Sequence, residues 1–173
     1  MTERAYQWSE LPHLARRTLW SMRRPIPDAE SERWLLGQLL PREALLYRSM
    51  DAVDRAHAIE CAEYVKDYER EVIVASALHD VGKTDAGLGT LGRVLATLCG
   101  LALAPRARSW ETSSGLRRQI ARYLDHAERG AAVLERAEAP ALAISWAREH
   151  HLPVDQRTVE AGLAEVLQAA DEL

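Results

Sequence analysis

The sequence has no phenylalanine at all and only two cysteines in 173 residues. Each shortage excludes something. Cys61 and Cys99 both fall inside helical patterns, so they build no disulfide framework, and neither stands at the spacing of a structural zinc site. Both read as packing residues. Glycine and proline are sparse between positions 42 and 81, and Glu71-Val72-Ile73-Val74 holds the one short β-branched run. A sheet is therefore not expected, and the chain reads as all-α. No apolar window is long enough to span a bilayer, so no membrane association is expected. The opening residues, Met1 to Trp8, lack the apolar core of a secretory signal, which gives the expectation of a cytoplasmic protein. A formal net charge of −4 leaves no general positive surface, so no stable nucleic-acid binding is expected.

What is present is a chain that is 47% hydrophobic and long enough for one domain with a proper core. Residues 3–24 form a basic amphipathic helix on this reading, with Arg16, Arg17, Arg23 and Arg24 on its solvated side, until Pro25 and Pro27 break it. Asp28 is the N-cap of a helix containing Trp34, Leu35, Leu39 and Leu40. Pro41 opens the next, with Ala44, Leu45 and Tyr47 inward. Asp51 caps a third that runs to about Tyr68, with Val53, His57, Cys61, Tyr64 and Tyr68 at helical spacing. Leu91 to Leu103 offers a core helix or a dimer surface. The segment Pro105 to Gly115 reads as a mobile loop, whose arginines and Trp110 either cover a phosphorylated substrate or are merely solvated. Helices Leu116–Leu124, Ala127–Ala137 and Pro140–Glu149 follow. A last helix, about Val154 to Leu173, has Val159, Leu163, Val166, Leu167 and Ala170 as its core side. There is no internal repeat.

Chemistry concentrates in Ala75-Ser76-Ala77-Leu78-His79-Asp80-Val81-Gly82-Lys83-Thr84. An apolar run ends there in adjacent imidazole and carboxylate groups, which are expensive to bury alone. A metal ion removes that penalty, and so does mutual hydrogen bonding; the dipeptide leaves both open. The other histidines tip the balance towards metal. His57 shares a helix face with packing residues, His126 lies at a helix junction, His150-His151 ends a helix, and Asp171 lies on the last apolar face. Adjacent histidines on a helix point in different directions. His150 and His151 would therefore serve two sites, or one would bind metal and the other substrate.

The phrases Asp54-Arg55-Ala56-His57, Leu78-His79-Asp80-Val81-Gly82-Lys83, Tyr123-Leu124-Asp125-His126, Arg148-Glu149-His150-His151 and Leu167-Gln168-Ala169-Ala170-Asp171, in that order, resemble the HD-domain superfamily of metal-dependent phosphohydrolases. The resemblance covers roughly residues 45–173 and leaves 1–44 as an N-terminal helical arm packed on the core. It implies a compact helical bundle with a metal site between helices. His57, His79, Asp80 and Asp171 would hold one ion. Asp80, His126, His150 and His151 would hold a second, as in the binuclear branch. It further implies one or two divalent transition metals, Fe or Mn before Zn, Co or Ni. A metal-activated hydroxide would attack a phosphate ester, with a nucleotide or cyclic dinucleotide as substrate. Asp80 and Lys83 would be catalytic. Lys83, Thr84 and Arg55 would contact the phosphate, Gly82 letting the backbone turn, although Arg55 could instead pair locally with Asp51. Leu152-Pro153 after His151 departs from the glycine-tyrosine-proline signature of the HD-GYP branch, so cyclic di-GMP is not implied. Two other classes share the ligand order: a non-catalytic binding module, and a di-iron oxygenase of the same fold. A homodimer is compatible with all three.

Overall fold

The computed structural model describes residues 28–88 and 109–173, with Gly92 and Ala96 between them. The basic helix expected over 3–24, most of the helix expected from Leu91 to Leu103, and Arg106 and Arg108 lie outside the described residues. Among the described residues all regular structure is helical, as the composition requires. The described residues include eight bounded α-helices: α1 (Ala29–Gln38), α2 (Pro41–Ser49), α3 (Ala52–Tyr64), α4 (Arg70–Leu78), α5 (Leu116–Leu124), α6 (His126–Arg136), α7 (Ala141–Glu149) and α8 (Ala161–Asp171). Short 3₁₀ turns cover Val81–Ala86, Ser109–Thr112 and Val154–Gln156. None of these helices is long and apolar enough to cross a membrane.

Local chemistry sets the helix starts. The Asp28 carboxylate accepts from the backbone N–H groups of Glu30 (3.0 Å) and Ser31 (2.9 Å), and Asp51 does the same for Val53 and Asp54 (both 3.0 Å). Pro41 sits in the first turn of α2. The last helix begins later than expected. Val154 is exposed, and the chain runs through a 3₁₀ turn and an extended Arg157 before Glu160 caps α8 through the N–H groups of Gly162 and Leu163.

α4 is the central element, with Val72 through Leu78 all buried. It packs against α3 and α7, while α8 crosses α3 and α4 and α1 lies on α3. Leu35, Tyr47, Ile59, Leu78, Trp146 and Leu167 belong to one hydrophobic core that spans α1 to α8. A smaller cluster joins Ala86, Leu88, Ala96, Ile120 and Tyr123, with Trp110 packed on it. Some expected core positions face out. Leu40 and Leu45 are exposed because Ala44 and Tyr47, three apart, form the inward face of α2. Tyr64 and Tyr68 are exposed because α3 ends at Tyr64, and Val65 takes the buried place beyond it.

Candidate metal centre

The ends of four helices and the middle of a fifth bring the histidines and aspartates together. His57 comes from the body of α3, and His79 caps α4 with Asp80 next to it. His126 is the first residue of α6, His150 caps α7, and Asp171 is the last residue of α8. The Nε2 atoms of His57 and His79 each lie 3.2 Å from Asp171 Oδ1, and His79 Nε2 is 3.5 Å from Asp80 Oδ2. On the other side Asp80 Oδ1 lies 3.6 Å from His126 Nε2 and 3.7 Å from His150 Nε2. His151 Nε2 is 3.0 Å from His126 Nε2. Two groups result, each able to hold a metal ion: His57, His79, Asp80 and Asp171, and His126, His150 and His151. Asp80 stands between them. All seven residues expected as ligands are thus gathered.

The adjacent histidines correct an expectation. His150 and His151 serve the same group, because the helix has already ended: His150 is the C-cap and His151 lies in the turn after it, so the divergence of consecutive helical side chains no longer applies. Their ring centroids are 3.9 Å apart.

Backbone carbonyls fix the rings. His79, His126 and His150 donate Nδ1–H to the carbonyl three residues earlier, Ser76 (2.8 Å), Tyr123 (2.7 Å) and Ala147 (2.9 Å). A carbonyl only accepts, so Nδ1 must carry the proton, and the rings of His126 and His150, when neutral, present a bare Nε2 lone pair to the centre. The same outer bond orients histidines in metal sites. Burial lowers the His126 pKa to about 4, Lys83 adding to the effect, and burial with His79 lowers that of His150 to about 3. Burial, with His150 beside it, also holds His151 well below its usual value. These rings are neutral at pH 7. Burial pushes the Asp80 carboxyl up, but Lys83, with His79, His126 and His150, holds the group well below the usual carboxylate range. His79 is opposed by burial and raised by Asp80 and Asp171.

Bare nitrogens therefore face an ionised oxygen at 3.6–3.7 Å, acceptor against acceptor. His150 Nε2 is buried and makes no hydrogen bond among the described residues. A cation between such groups converts repulsion into coordination. Ligand bonds of about 2.1 Å place neighbouring ligand atoms roughly 3.0–3.4 Å apart in octahedral or tetrahedral geometry, close to the spacings seen here. The donor set fits a divalent transition metal.

The expected phosphate contacts are less uniform. Lys83 pairs with Asp80 Oδ2 and belongs to the cluster. Thr84 Oγ1 is buried beside it and makes no hydrogen bond among the described residues. Arg55 makes its contacts elsewhere: its Nη1 donates to the Met50 carbonyl (3.2 Å), and its Nε lies 3.5 Å from Glu32 on α1 rather than against Asp51. Trp110 is in a 3₁₀ turn rather than an irregular loop, packed on the smaller cluster with Arg117 5.7 Å from its ring centroid. Gly82 also acts differently from expectation. Its φ is not positive; instead a Cβ there would lie 2.0 Å from the His126 carbonyl oxygen and 2.5 Å from Gly130 N. The missing side chain lets the turn after Asp80 sit directly on α6, which brings His126 to Asp80.

Three further contacts to the ligands were not legible in the sequence. Cys61 is in the core as expected, but its Sγ donates to the Ala170 carbonyl (3.3 Å) and lies 3.4 Å from His57 Nε2. Glu149 and Arg157 bind the segment around His150 and His151. Charged residues next to histidines carry no spacing signal that separates such ties from surface charge. No family model, curated protein or solved structure matches the chain.

Proposed function

We propose that the chain is a metal-dependent phosphohydrolase of the HD-domain kind, hydrolysing a phosphate ester of a small substrate such as a nucleotide or cyclic dinucleotide. The observation that supports it most is Asp80, an ionised carboxylate set between two groups of histidines, with His79 on one side and the bare Nε2 atoms of His126 and His150 on the other. Bound divalent ions supply water activation and neutralisation of phosphate charge. Mixed imidazole and carboxylate donors favour Fe or Mn. On this reading Asp80 is shared by both positions. Lys83, paired with the second oxygen of Asp80, adds a positive charge at the cluster edge for a phosphate oxygen, and Thr84 adds a hydroxyl. The neutral second group keeps its lone pairs for coordination at pH 7.

The test is hydrolysis of bis-p-nitrophenyl phosphate with Mn or Fe by wild type, His79→Ala and Asp80→Ala. Each variant is expected to lose at least about 100-fold in turnover together with its bound metal, more than the 10–100-fold typical of outer-shell changes. Undiminished turnover in a metal-free double variant contradicts the proposal. Iron-dependent O₂ uptake without hydrolysis would replace it with an oxygenase, and nucleotide binding without turnover would replace it with a binding module.

A further inference from the structure

The His150–His151 turn carries two of the three histidines of the second group, yet it lies outside any helix and has to be held by something. Two side chains hold it. The Arg157 guanidinium donates from Nε to the Leu152 carbonyl (3.0 Å) and from Nη2 to the carbonyl of His150 itself (3.1 Å). The same Nη2 reaches Gln168 Oε1 on α8 (2.8 Å), three residues before Asp171. Its plane lies 5.2 Å from the centre of the buried Trp146 ring, which limits where the fork can point. In the opposite direction, the buried Glu149 carboxylate accepts from Thr158 N and Thr158 Oγ1 (both 2.6 Å) and from Val159 N (3.1 Å). Side chain to backbone ties thus run both ways between residues 149–152 and 157–159.

We infer that Arg157 is a positioning residue for the three-histidine group, setting the His150–His151 turn in register with Asp171 through Gln168. This rests on the metal reading for its consequence, though not for its geometry. A planar fork is required, because one guanidinium must meet two carbonyls of the turn and an amide oxygen of α8. A lysine ammonium carries the charge but not the fork. Arg157 touches no ligand atom, so its effect must pass through the position of the rings.

The test compares wild type, Arg157→Ala and Arg157→Lys in two readouts. In metal-free protein, long-range ¹H–¹⁵N spectra of the histidine rings should show the His150 and His151 signals displaced in Arg157→Ala and those of His79 unmoved. In manganese titrations, one of the two equivalents, that of the three-histidine group, should lose about 10–100-fold in affinity, the range for an outer-shell partner, while the other keeps its own. Arg157→Lys should recover only part of either effect. If Arg157→Ala lowers the unfolding temperature but leaves the ring spectra and both manganese affinities as in wild type, Arg157 is merely structural and the inference is overturned. A wild-type protein that binds no manganese refutes the metal reading instead, and the ring spectra alone then decide whether Arg157 positions the turn.

Discussion

The two halves of the cluster solve the same burial problem differently. The first half, His57, His79, Asp80 and Asp171, contains both carboxylates, which raise the pKa of His79, and its hydrogen bonds to Asp171 form without any ion. His79 donates Nδ1–H to the Ser76 carbonyl, and its Nε2 lies 3.2 Å from Asp171 Oδ1. The second half has no carboxylate of its own. Its rings are held neutral by burial, and His150 Nε2 has nothing to accept from. Hydrogen bonds join the groups of the first half without an ion, whereas in the second His150 Nε2 makes none among the described residues. The first half is therefore expected to support the fold in the absence of metal, and the second to depend more on an ion.

The widest separation between the halves is expected from single ligand removals. His79→Ala should destabilise metal-free protein by up to about 3 kcal/mol, since it removes the ring that Asp171 and Asp80 share and leaves them His57 and Lys83. His150→Ala should change metal-free stability far less, because it deletes an unsatisfied acceptor along with some packing. Urea unfolding after chelation measures both. Equal losses would erase the distinction between the halves.

Titration should sharpen it. The folded pKa values of His126 and His150, about 4 and about 3, lie below the ordinary 6.5, so the unfolded chain binds protons first as pH falls. Their contribution is complete above pH 6.5 and is lost as pH drops towards 4 and 3, on the order of a few kcal/mol each. His79, raised in the folded state, has the opposite sign: its contribution is present below 6.5 and fades as pH rises through its folded value. Metal-free protein should lose stability between pH 6.5 and 4, and His150→Ala should flatten that slope. An unchanged slope in the variant would show that His150 is not the buried neutral ring described.

The smallest effect serves as a control remote from both halves. Glu138 takes a left-handed φ of 59° just beyond α6, where its N–H meets the Glu135 carbonyl (3.0 Å). Its ion pair with Arg42 is exposed and worth little. Glu138→Gly should raise stability by up to about 1 kcal/mol, a shift of roughly 2–4 °C in unfolding temperature, with metal content unchanged.

Much of this arrangement was legible because helical periodicity ties a residue to a face. His57 on a packing face, His79-Asp80 at the end of an apolar run and Asp171 on the last apolar face could all be placed that way. What escaped depended on distances between elements remote in sequence. Gly82 reads as a turn residue, yet it is needed because α6 approaches within contact of its backbone. Arg55 reads as a phosphate contact, yet it reaches Glu32 and the Met50 carbonyl. Arg157 and Glu149 carry no pattern at all, and their partners appear only when α8 and the end of α7 meet. The residues before Ala161 read as helix on hydrophobic spacing, but Glu149 claims the backbone N–H groups of Thr158 and Val159 and holds that stretch extended.

The central claim is that Asp80 joins two occupied positions. Metal content of protein purified without chelator, measured for wild type and Asp80→Ala, tests it most directly. The account predicts a ratio near two for wild type and near zero for the variant. A wild-type protein that carries no metal and takes none up on exposure to Mn or Fe would contradict it.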